Sequence, residues 1–141
     1  MSSLSPFLQY LPQAEGLLPK WQLLVATMAL FNTVQNFATL KLTRRLYGRV
    51  SPQSITGLQA RTFAVWTLTS AVVRGYAAYN INNKSIYDMA LFTYLIAFGH
   101  FTSEIFVYRT AKVMSPVFST LVVSTLSLVW MITQYDFYVK A

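Results

Sequence analysis

Between Lys20 and Lys41 the chain reads WQLLVATMALFNTVQNFATL (residues 21–40), twenty residues without a charge. At about 1.5 Å per residue, a helix of that length spans roughly 30 Å, the thickness of a bilayer's hydrocarbon core. A central charge in that layer costs about 2.5–3.5 kcal/mol on insertion scales, so a long charge-free run points to a helix lying in lipid. Toward the other end, VMSPVFSTLVVSTLSLVWMITQY (residues 113–135) repeats the pattern with twenty-three uncharged residues.

The middle of the chain holds two interrupted versions of the same signal. TFAVWTLTSAVVRGYAAYNINN (residues 62–83) is broken only by Arg74, and IYDMALFTYLIAFGHFTSEIFVY (residues 86–108) carries Asp88 near its start and Glu104 near its end. A short chain satisfies its backbone in lipid most economically as helices. The expected fold is therefore an all-α membrane protein, one domain (residues 1–141) of four transmembrane helices in a small bundle, with spans at 21–40, 62–83, 86–108 and 113–135. Composition agrees: 55% of the 141 residues are hydrophobic and 11% charged, with a mean hydropathy of +0.44, where soluble domains carry about 25% charged residues.

The first twenty residues contain three prolines and no basic leader, which reads as a surface-lying segment or loose tail, with the first span acting as an uncleaved anchor. Orientation follows from lysine and arginine. Segment 41–61 holds five and no acid, Arg109 and Lys112 add two, and Lys20, Lys84 and Lys140 lie on the opposite side. Seven against three puts the 41–61 and 109–112 loops in the cytosol and both termini in the lumen. Asn83-Lys84-Ser85 is then a lumenal glycosylation triplet, too close to the bilayer to be modified. The net charge of +7 is spent on flanking apolar runs, which argues against nucleic acid as a partner.

Inside the spans, Asn32, Gln35 and Asn36 share one helix face by their i, i+3, i+4 spacing, as do His100 and Glu104. Counted from the cytosolic flanks, the two stripes lie at matching depths, so the first and third spans are expected to face one another through them. If the second span starts near Trp66, Arg74, beside a small-residue face of Ala71, Gly75 and Ala78, rises level with His100 and can reach toward Glu104. Two readings stay open for this set: polar bonds that fix helix register and partner choice, or a catalytic His/Glu/Arg group.

Several chemistries lack their parts. With one histidine and no cysteine, neither a di-iron histidine cluster nor a zinc site is expected. The five glycines are never close enough for a phosphate-binding loop, and there is no G-x-S-x-G elbow. Cofactor-free proton transfer survives, as in a sterol double-bond isomerase using Glu104 and His100. A transporter is less favoured, since there is no repeat symmetry or broken helix.

At FNTVQN, LTRRLYGR, ARTFAVWTLTSAVVR, FGHFTSEIFVYRT and LVVSTLSLVWM, in series from about Pro19 to Gln134, the chain closely resembles the ergosterol biosynthetic protein 28 family. The resemblance implies a non-catalytic scaffold of the endoplasmic reticulum membrane without cofactor or metal. It also implies partners: the sterol C-4 methyl oxidase, the decarboxylating C-3 dehydrogenase and the 3-keto reductase, with other late sterol enzymes nearby. Self-association stays open. The family has no active-site motif, so no catalytic residue is carried over. Leu42, Leu46 and Val50 recur at i, i+4, i+8 among Lys41, Arg44, Arg45 and Arg49. That pattern is either a basic amphipathic surface for anionic lipid or an acidic partner, or an orientation signal alone. SPQSITG is expected to break the helix before the second span. The tail QYDFYVKA carries no lysine-pair retrieval signal.

Overall fold

A computed structural model describes residues 5–114 and 116–139; Lys140, counted above on the lumenal side, lies outside them. The described residues form helices and connecting turns, with no strand among them. After a short α1 (Ser5–Leu8) come α2 (Leu18–Ala38), α3 (Lys41–Leu46), a 3-10 turn at Pro52–Ser54, α4 (Gly57–Tyr79), α5 (Lys84–Phe106), α6 (Val117–Thr133) and α7 (Tyr135–Tyr138).

Local chemistry places the helix starts. Pro19 sits in the first turn of α2, where its missing N–H is not needed. Thr56 and Gln59 form a reciprocal capping box that opens α4, with Thr56 N–H donating to Gln59 Oε1 at 2.8 Å and Gln59 N–H donating to Thr56 Oγ1 at 3.2 Å. Asn83 caps α5 by accepting from the Ile86 N–H at 3.2 Å. Within the helices Thr33, Thr62, Thr67, Thr69 and Thr133 return their hydroxyls to the carbonyl four residues back. A polar side chain thereby satisfies itself on an apolar helix.

The most extensive contact is between α2 and α4, which run antiparallel through the α3 connector; α5 packs on α6 and, less closely, on α4. Small side chains make this approach: Ala26 and Ala29 on α2, and Ala60, Ala64, Ala71 and Ala77 on α4, are all buried. Large apolar side chains point the other way, among them Phe31 (64% exposed), Val65, Phe92 and Ile132. Along the α2–α4 contact small residues face inward and bulky ones outward, an arrangement that lets helix backbones approach closely. One apolar cluster gathers Leu18, Ile81, Tyr87, Met131 and Tyr138; a second, at the α3 end, gathers Leu46, Phe101, Ile105 and Val117.

The all-α expectation is met, the four spans only in part, and two further expectations change. By length and composition α5 alone among the described helices is long and apolar enough to cross a membrane. α6 is apolar but has 17 residues, and α2 and α4 are diluted by Gln22, Asn32, Gln35 and Asn36 and by Arg61 and Arg74. The amphipathic helix expected through Val50 ends at Leu46, and the chain turns through Tyr47–Val50 by a bond from the Val50 N–H to the Tyr47 carbonyl. Gly75 does not mediate close approach: a Cβ placed there meets nothing within 4 Å, while Ala71 and Ala78 are buried.

Candidate functional site

The last three turns of α5 present Ile96, His100 and Glu104 at four-residue spacing along one face. Opposite them stand the first half of α4 and the turn that follows α3. Together these line an open cavity of about 740 Å³, with Tyr47, Leu58, Phe63, Trp66, Ile96, His100 and Glu104 among its walls. The Tyr47 hydroxyl is 2.7 Å from His100 Nε2. Its ring is stacked on Phe101 at 6.4 Å and meets Phe63 edge-on at 6.2 Å. Trp66 meets the His100 imidazole edge-on at 5.1 Å. Burial, with the Glu104 charge as a lesser cause, pushes the Tyr47 hydroxyl well above the usual phenol range, so Tyr47 stays protonated and can donate to His100.

Glu104 is held by the loop that follows its own helix. Its Oε2 accepts from the Thr110 hydroxyl, and its main-chain carbonyl accepts the N–H groups of Thr110 (2.8 Å) and Ala111 (3.2 Å). The loop turns back through Arg109, whose φ of +58° is in the left-handed region. The Arg49 N–H donates to the Thr110 carbonyl at 3.0 Å, tying this loop to the turn after α3. Glu104 Oε1 has no hydrogen bond among the described residues and belongs to a residue on the cavity wall.

The expected polar set divides into separate pairings. Asn36 is buried, and its Oδ1 accepts from the Thr43 hydroxyl at 2.6 Å while its amide donates to the Asn32 carbonyl at 2.9 Å. Asn32 and Arg74 line a second cavity of about 300 Å³. Gln35 is half-buried, and its side chain makes no hydrogen bond among the described residues. Arg74 does not reach Glu104. α4 begins at Gly57, which sets Arg74 deep in the helix; its Nε donates to Thr93 Oγ1 at 3.0 Å and its guanidinium lies 4.1 Å from the centre of the Tyr94 ring. Only His100 and Glu104 share a wall as expected, and their hydrogen-bond partners are Tyr47 and Thr110 rather than the α2 stripe.

α2 and α5 do join through polar groups, nearer the other end. Gln22 and Tyr94 are fully buried; the Tyr94 hydroxyl donates to Gln22 Oε1 at 2.7 Å, and the Gln22 amide reaches Met131 Sδ at 3.2 Å. Trp21 Nε1 donates to Ser127 Oγ at 2.8 Å beside them. Sequence reasoning missed this node because a glutamine one residue inside a span reads as an interfacial residue. It missed Tyr47 because a tyrosine in a connecting turn carries no mark of a partner 53 residues away.

Lys41, Arg44, Arg45 and Arg49 are all exposed. The Arg44 Nε donates to the Pro52 carbonyl at 3.1 Å. No group of three or more histidine, aspartate or glutamate side chains among the described residues could hold a metal.

Comparison with known proteins gives a consistent result. The sequence pattern of the family described as "Erg28 like protein" matches residues 18–129. Ergosterol biosynthetic protein 28 of Schizosaccharomyces pombe is 44% identical over 128 residues, covering 91% of each chain. The Candida albicans protein of the same name is 43% identical over 125 residues, covering 89% of this chain and 90% of its own. The Homo sapiens homolog is 42% identical over 118 residues, covering 83% and 84%. No solved structure matches the chain. With the family pattern running from α2 into α6 and taking in every element that lines the cavity, this chain belongs to the Erg28-like protein family.

Proposed function

We propose that this protein acts in sterol biosynthesis as a non-catalytic, four-span scaffold of the endoplasmic reticulum membrane. It would hold the C-4 methyl oxidase, the decarboxylating C-3 dehydrogenase and the 3-keto reductase together. The observation that carries the reading is the identity to proteins named for ergosterol biosynthesis along most of their length. Two features of the molecule support it. The bulky apolar side chains of α2, α4, α5 and α6 face outward, as lipid or partner helices require. The buried polar groups are bonded to one another, as in Asn36 with Thr43 and Gln22 with Tyr94. In this reading α3 and its turn face the cytosol with the exposed basic residues, and both termini are lumenal.

The test is co-purification from membranes of the three enzymes with the tagged full chain. The enzymes should come down with it and should separate from one another when it is absent. Replacing Lys41, Arg44, Arg45 and Arg49 together by glutamine should lower their recovery; unchanged recovery assigns those charges to orientation alone. A longer loop inserted at Asn83 should be glycosylated, whereas glycosylation of one inserted near Ser54 reverses the topology. The competing reading is a cofactor-free sterol isomerase, which the shared wall of His100 and Glu104 favours. Turnover of a sterol by the purified chain, abolished by Glu104→Gln, would replace the scaffold with that enzyme.

A further inference from the structure

Taking the sterol-pathway reading as its basis, we propose that the cavity between α4, α5 and the turn after α3 binds a neutral sterol. Its hydroxyl would lie against Glu104 and the Tyr47–His100 pair, and its ring body between Trp66 and Ile96. The volume of about 740 Å³ is in the roughly 300–1,000 Å³ range of small-ligand sites. The wall is graded along α5. Ile96, His100 and Glu104 rise one turn at a time, from apolar to aromatic-polar to acidic, over roughly 12 Å. α4 runs the opposite way, so Phe63 and Trp66 flank the apolar and middle part while Leu58 and Thr62 rim the opening. That is the shape of a receptor for a flat apolar body with one polar end. In the proposed orientation the polar end lies toward the cytosolic interface, where a membrane sterol already carries its hydroxyl.

The donor set decides the headgroup. Glu104 Oε2 is occupied by Thr110, which leaves Oε1 to accept from an alcohol. A ketone has no proton to offer it, and a sulfate or carboxylate meets a like charge. The Tyr47 and His100 pair, 2.7 Å apart, fixes one side of the site. The expected preference is alcohol over ketone over anion.

The full chain in lipid nanodiscs is irradiated with a ring-diazirine cholesterol analogue, with cholestanol, cholestan-3-one or cholesterol sulfate as competitor. Saturable labelling is expected at residues of 47–66 and 96–110. Cholestanol should compete about tenfold better than the ketone, the difference made by one hydrogen bond to a charged group. Glu104→Gln should erase most of the discrimination against the sulfate, a change that a merely structural role does not produce. Ile96→Trp, on the wall against the ring body, and Thr62→Trp, at the opening, are both at exposed positions and should each abolish saturable labelling while leaving the thermal midpoint in place. Labelling that is unsaturable, spread over the outer faces of α2 and α6, or competed equally by the sulfate overturns the inference. Enzyme co-purification is followed on the same proteins. Recovery of the enzymes without saturable labelling overturns the cavity inference alone; saturable labelling without the enzymes leaves the cavity standing and removes the scaffold.

Discussion

Replacing Tyr94 by phenylalanine removes one oxygen from a place where water cannot substitute for it. Tyr94 and Gln22 are both 0% exposed, and their hydrogen bond of 2.7 Å joins α5 to α2, with Met131 of α6 on the other side of the amide. Leaving a buried acceptor unpaired costs about 1–3 kcal/mol in proteins generally. Polar pairs between membrane helices measure lower, averaging about 0.6 and reaching about 1.7 kcal/mol. A loss of about 1–2 kcal/mol is expected for Tyr94→Phe. The phenylalanine ring keeps its face toward Arg74, whose guanidinium is 4.1 Å from the ring centre, so that attraction largely cancels in the comparison. Gln22→Leu removes the Tyr94 hydroxyl's acceptor but leaves Ser127 within its reach, so its cost should be smaller. The double variant removes donor and acceptor together and should be less damaged than the sum of the two by about 1 kcal/mol. Unfolding from micelles by a denaturing detergent gives all three free energies. Tryptophan emission is a direct probe, because Trp21 and Trp130, 6.0 Å apart, lie beside the node. Additivity of the two single variants within about 0.3 kcal/mol would show that the bond does not couple the helices, and the account of how α2, α5 and α6 are joined would fall with it.

Other outcomes follow from single positions. A Cβ at Gly75 or at Gly99 meets nothing within 4 Å, so alanine at either position should raise stability by about 0.5–1 kcal/mol by removing a mid-helix glycine; destabilisation at Gly75 would restore the close helix approach expected from sequence. Gly16 has φ +84° and a Cβ there overlaps the Tyr138 hydroxyl, so Gly16→Ala should cost about 1–2 kcal/mol. Adding Tyr138→Phe should recover only part of that loss, because the backbone strain remains. Burial raises the Tyr47 hydroxyl above the usual phenol pKa of about 10, so its contribution is fully present below about pH 10 and is lost as pH rises further, by up to about 1.4 kcal/mol per pH unit. Stability measured across that range should fall less steeply in Tyr47→Phe than in the parent protein, and identical slopes would show that the hydroxyl is not protected by the fold.

The helices were legible because a long charge-free run is a local signal, and their facing was not, because which sides meet depends on partners far along the chain. A charge-free run marks a helix whatever it packs against, so the run at 21–40 found the helix at Leu18–Ala38 to within a few residues. In water, the apolar stripe of a helix also says which side faces inward. Here that stripe is uninformative: Phe31 and Phe92 are exposed while Ala29 and Ala90 are buried, so hydropathy alone does not sort inside from outside. Matching polar residues by depth was the substitute, and it failed for a physical reason. A buried amide or carboxylate needs a donor or acceptor of any kind, and the chain supplies hydroxyls far more freely than it supplies charged partners. Asn36 took Thr43, Arg74 took Thr93 and Glu104 took Thr110, each from its own or a neighbouring segment. His100 took a tyrosine from a turn that hydropathy treats as a linker. The connector between the first two long helices therefore does more than join them. Through Tyr47 and the Arg49–Thr110 bond it closes one side of a cavity whose other walls are α4 and α5. A change that loosens that turn should alter ligand preference at Glu104 before it alters the stability of the bundle.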